Sequence, residues 1–186
     1  MEPRARILEA AQAELLENGA DGLSLRAVAR RAGYSPASLY EHFDGRDAIL
    51  QALADEADAA LRGRLEAAIA GKRRAALMLL PLGCAYVEFA QREPAAFQVL
   101  FHRLPSRRRS PEEAPRPGSS AELLHRTVAA ALAEAGRPAR EVETVALGLW
   151  SLAHGLAVLG TSHLAGLDLR AAATAILKPA IRGWLS

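Results

Sequence analysis

Residues 23–50, LSLRAVARRAGYSPASLYEHFDGRDAIL, constrain the fold most, because they spell two short helices with almost nothing between them. Ser24 is a natural N-cap, with a hydroxyl suited to accept a free amide of the first turn. Leu25, Val28, Ala29 and Ala32 then recur at helical spacing and share one face. Gly33 stands where a left-handed residue ends a helix. Ser35 and Pro36 open the next helix at once, a capping hydroxyl followed by a proline at the first helical position, where its missing N–H costs nothing. Two helices joined so tightly cannot lie antiparallel. They cross steeply, and a pair of that kind presents its second helix to a DNA major groove.

The second helix, residues 36–42, has the surface for such a role. Ala37, Ser38, Tyr40, Glu41 and His42 face outward, while Leu39 and Phe43 point into a core. Small residues at its start let the backbone approach a groove, Ser38 suits a base edge or a phosphate, and Tyr40 and His42 suit phosphate oxygens. An exposed Tyr and His are not what a merely structural helical hairpin requires. Arg26, Arg30 and Arg31 read either as phosphate contacts or as a solvated face, with Arg26 the best placed of the three.

The run Ala29-Arg30-Arg31-Ala32-Gly33-Tyr34-Ser35-Pro36, then Leu39-Tyr40-x-His42-Phe43, then Arg46-Asp47-x-x-Leu50, resembles the N-terminal domain of TetR-type transcriptional regulators. The resemblance covers about the first quarter of the chain. Arg46 stands where that family most often has lysine, and either reaches a phosphate. The family implies an all-α homodimer with a small-molecule pocket in a larger C-terminal domain. It also implies backbone contacts from Tyr40, His42 and Arg46 and an approach to bases by Ser35, Pro36, Ala37 and Ser38. With Ser24 and Arg26 these residues form the expected DNA-binding set.

Charge neither makes nor breaks this case. The 186 residues carry a net charge of +2, and residues 1–47 hold six arginines against eight acids. Non-specific electrostatic affinity for DNA is therefore expected to be modest. Hydrophobic residues at 51% and charged ones at 24% fit a globular protein with a real core. Abundant alanine and leucine favour helix. Cys84 is the single cysteine, so neither an intrachain disulfide nor a multi-thiol zinc site can form within one chain. In an apolar helix without an adjacent base it reads as inert burial before redox sensor. The histidines at 42, 102, 125, 154 and 163 include no pair at metal-ligand helical spacing, so no metal or cofactor is expected. No secretory signal pattern opens the chain, which sets a cytoplasmic expectation.

Periodicity predicts all-α architecture without repeats. A first helix over 4–18 turns Ile7, Leu8, Ala11, Leu15 and Leu16 inward and stops at Gly19. A long helix begins at 44 or 45 and runs to about 70, with Asp47 favourably placed near its N-terminus. A helix over 73–91 contains Pro81, which implies a kink or a late start. Residues 94–101 form a short apolar helix, and 103–120, rich in proline, serine and arginine, form a flexible loop. Arg107, Arg108 and Arg109 within it read as solvated, with a second DNA or partner contact as the alternative. Helices over 121–135 and 139–163 follow, and a last one starts after Asp168 and bends at Pro179. The expected domains are a DNA-binding head, 1–47, and a ligand-binding and dimerisation domain, 48–186.

Residues 144–162 contain no Asp, Glu, Lys or Arg over nineteen residues, the length of a membrane span. His154, Ser151, Thr161, Ser162 and the glycines at 148, 155 and 160 favour burial on every side instead, one face on its own core and one on a partner copy. Homodimerisation through 139–163 and 169–186 is the expectation. Trp150 followed by His154-Gly155 is similar to the Trp-His-Gly signature of one class of TetR-family C-terminal domains, as is Tyr86-Val87-Glu88-Phe89-Ala90 leading to Glu93-Pro94-x-x-Phe97. Trp150 and His154 share a helical face. With Tyr86, Phe89, Phe97 and Phe101 they give the aromatic walls and polar handle of a ligand pocket, for an apolar or aromatic effector. Each also reads as plain core, and the sequence does not separate the two. There is no Gly-x-Ser-x-Gly, phosphate loop or His-Glu-x-x-His, so a binding protein rather than an enzyme is expected.

Overall fold

The computed structural model describes residues 2–102, 114–164 and 166–186, so most of the arginine-rich loop, with Arg107 to Arg109, lies outside the described residues. Among these residues there are nine α-helices and no strand. The order is α1 Pro3–Gly22, α2 Leu25–Ala32, α3 Pro36–Tyr40, α4 Arg46–Ile69, α5 Leu79–Arg92, α6 Pro94–His102, α7 Ser120–Glu134, α8 Val142–Ser162 and α9 Leu169–Leu185. Short 3-10 turns at Ala75–Leu77 and Ala139–Glu141 lead into α5 and α8. Pro81 is thus the third residue of a late-starting helix, within the first turn, where no intrahelical amide bond is lost. Gly19 breaks α1 with a φ of 77°.

The chain divides into two compact units, one of residues 1–57 with 95–108 and the other of residues 58–94 with 109–186. The boundary lies at 57, further along the continuous α4 than a division at 47, and the stretch carrying α6 groups with the N-terminal helices. The reason is apolar packing. Ile7, Leu8, Leu15, Val28, Leu39, Ile49, Leu50 and Leu53 form one buried cluster that also takes in Val99, with Ala96 and Leu100 against its edge. Leu16 does not turn inward. It is 49% exposed, because consecutive residues on a helix sit about 100° apart and Leu15 takes the inward position.

In the second unit α5, α8 and α9 pack on one another. Gly148 and Gly160 are the close-approach points of α8. A β-carbon at Gly148 would meet the Trp184 ring at 2.8 Å, and one at Gly160 would run into Leu169. Both contacts come from α9 of the same chain, while Gly155 faces open space. The stretch Ala139–Ser162 is long and apolar enough to cross a membrane by length and composition. However, Val145, Leu149, Ala153, Leu156 and Ala157 are buried, as in a core helix with one open flank.

The start of α7 is tied to the second half of α4. Asp58 accepts from the Ser120 amide at 3.2 Å, and Arg62 donates to the Ser119 carbonyl at 2.9 Å and to Glu122 at 3.1 Å. At the other end of α7, the Glu134 carboxylate accepts the amides of Ala75 and Ala76 at 2.8 and 3.1 Å. Those two backbone bonds hold Glu134 below its ordinary value of 4.5. A carboxyl lowered on folding contributes stability that is complete above that ordinary value and is lost as pH falls through the lowered one. Glu134→Gln is therefore expected to flatten the acid limb of the stability curve, read by urea unfolding in steps from pH 6 to pH 3. Identical acid limbs for the two proteins would show that the carboxylate does no such capping.

Candidate nucleic-acid interface

The helix-turn-helix is built by two caps and one cross-brace. The Ser24 hydroxyl accepts from the Ala27 amide at 3.4 Å and starts α2. Gly33, at φ 76° and ψ 32°, ends it, with the Gly33 amide on the Arg30 carbonyl and the Tyr34 amide on the Ala29 carbonyl. A side chain at this φ is strained, so glycine is the residue the turn requires. Two residues on, the Ser35 hydroxyl accepts from the Ser38 amide at 3.0 Å, and Pro36 opens α3. From α1, Arg6 donates to the Ala32 carbonyl at 2.8 Å, and its guanidinium lies 5.2 Å from the centre of the Tyr34 ring.

This frame seats Leu39 with no exposure and Phe43 nearly so, which turns the rest of α3 outward. Tyr40 is 58% exposed, and Ala37, Glu41 and His42 are exposed beside it. Ser35 and Ser38 share a hydroxyl–hydroxyl hydrogen bond of 2.9 Å, so part of their capacity goes to the turn. His42 meets the Tyr34 ring edge-on at 6.3 Å. The structure sorts the arginines. Arg31 is engaged by Glu17 and lies 3.8 Å from Glu14, whereas Arg26 and Arg30 are exposed with no carboxylate partner among the described residues. Arg46 is half-buried at the start of α4, 3.9 Å from Asp21 and 4.0 Å from Asp47. Sequence alone did not distinguish Arg30 from Arg31. The distinguishing signal is the pair of acids at positions 14 and 17, one turn apart on α1.

Of the six residues expected to wall an effector pocket, Phe97 and Phe101 lie on α6 of the first unit, their rings 4.9 Å apart and tilted by 50°. Tyr86, Phe89, Trp150 and His154 lie in the second. There the Trp150 indole N–H donates to the Tyr86 hydroxyl at 3.2 Å, and that hydroxyl shares a hydrogen bond of 2.9 Å with His154 Nδ1. Burial raises the Tyr86 phenol well above its usual pKa, and the Trp150 N–H offsets only part of this. The phenol therefore stays protonated at neutral pH. Trp150 itself is 40% exposed. Among the described residues, no three His, Cys, Asp or Glu side chains gather as metal ligands would.

Two short helices joined by a tight turn thus present a capped, outward-facing second helix, with Arg26 and Arg30 of α2 exposed and without a carboxylate partner among the described residues. Residues 7–53 match the family described as bacterial regulatory proteins, tetR family, and residues 79–179 match the tetracyclin repressor-like C-terminal domain. The chain belongs to the TetR family of transcriptional regulators. The Trp-His-Gly subclass remains a reading of the residues themselves.

Among curated proteins, the HTH-type transcriptional regulator UidR of Escherichia coli (strain K12) is 40% identical over 50 residues, 27% of this chain. That match spans 26% of UidR, about a quarter of its length. A structure of a protein with unknown function from Rhodococcus sp. RHA1 is 28% identical, with a TM-score of 0.77, and the match covers 100% of this chain and 97% of that one. The regulator FadR from Bacillus subtilis, solved in complex with stearoyl-CoA, has a TM-score of 0.76 over 96% of this chain and 98% of its own. At 15% identity that likeness shows the fold alone.

Two substitutions separate charge from shape at the DNA face. Arg26→Ala is expected to lower the slope of log affinity against log salt by about one per head. Tyr40→Ala is expected to weaken binding about ten- to a hundredfold, the loss of roughly 1.5–3 kcal/mol from a hydrogen bond to a charged phosphate, without changing that slope. Salt titrations of duplex binding by fluorescence anisotropy measure both; an unchanged slope in the Arg26 variant would remove it from the phosphate contacts.

Proposed function

We propose that the chain is a ligand-responsive transcriptional repressor of the cytoplasm, binding a pseudo-palindromic operator as a homodimer and released from it by a small apolar or aromatic effector. The observation that carries this reading is α3, capped by Ser35 and Pro36, seated by Leu39, and exposing Ala37, Tyr40 and His42. Two such helices enter successive major grooves about 34–36 Å apart or somewhat more. Tyr40, His42 and Arg46 hold the DNA backbone, while Ser35, Pro36, Ala37 and Ser38 approach bases. Ser24 and Arg26 add contacts at the start of α2. The reading assigns no catalytic role.

Support for the dimer comes from what the second unit leaves uncovered. Leu152, Gly155 and Leu159 form an exposed stripe on α8, and Ile176, Pro179 and Gly183 form one on α9. Apolar stripes on adjacent helices suit a four-helix contact with a second copy. Support for an effector comes from the fold shared with FadR, whose structure holds stearoyl-CoA. The Tyr86–Trp150–His154 group and Phe89 form the effector region of this reading, while Phe97 and Phe101 act through α6. Coupling runs through α4, which carries Ile49, Leu50 and Leu53 of the head's core at one end and reaches the second unit at the other. An effector that favours one placement of α4 shifts the population only by its difference in affinity for the two forms.

Selection of genomic fragments with the purified protein, repeated with Tyr40→Ala, tests the reading. The expected result is one enriched palindromic sequence, lost or weakened in the variant. Failure of the wild type to enrich any sequence, with and without candidate effectors, would overturn it. Leu152→Glu with Leu159→Glu is expected to yield a monomer in sedimentation and to reduce operator affinity with it.

A further inference from the structure

The second unit contains a cleft of about 490 Å³ between the end of α4, one flank of α5 and the start of α9, away from Tyr86 on the surface of α5. Its volume falls within the roughly 300–1,000 Å³ of small-molecule sites. The floor is apolar: Ala67, Ala68, Leu80, Ala85 and Phe89. The rim is basic: Arg64, Lys72, Arg92 and Arg170, all exposed. Glu88 is the one acid among the lining residues, and Arg170 already engages it at 3.0 Å. Arg64 is likewise taken by Glu93 at 3.0 Å. Lys72 and Arg92 have no carboxylate partner among the described residues.

We infer that this cleft binds an amphipathic anion, an apolar chain or ring bearing one carboxylate or phosphate head. The chain as a whole is close to neutral, so four cations around one concave apolar floor form a local concentration of charge. Like charges focused at the mouth of a low-dielectric cleft raise the local concentration of anions. An oxyanion there meets an unmatched cation, Lys72 near the start of α5 or Arg92 at its end, and accepts charge-assisted hydrogen bonds from it. A purely polar anion leaves the floor wet, and a neutral hydrocarbon leaves Lys72 and Arg92 unmatched. Only a molecule with both parts satisfies both. Cys84 and Thr174, 3.7 Å apart through Sγ and Oγ1, mark the boundary between floor and rim. The site is distinct from the Tyr86–Trp150–His154 group. The binding claim stands without the DNA reading, and only its regulatory consequence rests on that reading.

Calorimetric titration of the full chain with decanoate, decyl phosphate and 1-decanol, each below its aggregation limit, tests the inference. Decanoate or decyl phosphate is expected to bind at least tenfold more tightly than decanol, and comparison of the two anions identifies the preferred head. Lys72→Ala with Arg92→Ala is expected to weaken the anions about tenfold or more and leave decanol unchanged. Ala85→Trp, which fills the floor, is expected to weaken all three. Thermal unfolding checks that each variant is folded, and Arg140→Ala, an exposed change outside the cleft, serves as a folded control expected to bind normally. Equal affinity for decanoate and decanol, indifference to the Lys72 and Arg92 changes, or an equal loss in Arg140→Ala would each overturn the inference. Anion binding in the cleft without any change in operator affinity would uphold the site and sink the effector mechanism alone.

Discussion

Arg6 reaches from α1 to the turn between α2 and α3, where its guanidinium donates to the Ala32 carbonyl and lies over the Tyr34 ring. The last carbonyls of a helix have no intrahelical partner, and in so short a turn there is little else to satisfy them. One side chain therefore answers the end of α2 and fixes the aromatic residue that begins the approach to α3. A β-carbon at Gly33 would come within 3.1 Å of the same guanidinium, so the left-handed turn and the brace lie against each other. The outward face of α3 takes its direction from this small arrangement.

Charge across the head is likewise arranged rather than abundant. Residues 1–47 carry more acids than arginines, yet α1 uses Glu14 and Glu17 to hold Arg31 and leaves Arg26 and Arg30 in solvent. A nearly neutral domain can present a cationic edge in this way. Its affinity for DNA then depends on a few well-placed contacts rather than on a broad field, which favours discrimination between sites over general attraction.

The legible parts of the sequence were the local ones. Ser24, Gly33, Ser35 and Pro36 each do their work within four residues of themselves, so the caps, the turn and the exposure of Tyr40 and His42 followed from spacing. Nonlocal matters were not legible. Leu15 and Leu16 are both apolar, and only packing decides which of two neighbours goes inward. Val99, Ala96 and Leu100 of α6 pack with the head's core, a choice no periodicity reveals. The glycines of α8 signalled close contact correctly, but Gly148 and Gly160 find it in Trp184 and Leu169 of the same chain. The basic cleft draws on positions more than one hundred residues apart and had no sequence signature at all.

The placement of α6 also bears on how such a chain can be taken apart. The head's core is closed by Val99, with Ala96 and Leu100 at its edge, from a segment some forty residues beyond the end of the N-terminal stretch. The DNA-reading part is therefore not a contiguous cassette. A chimera that exchanges residues 1–57 alone sets a foreign core against this chain's α6. An exchange that keeps this core intact has to carry α6 along with residues 1–57.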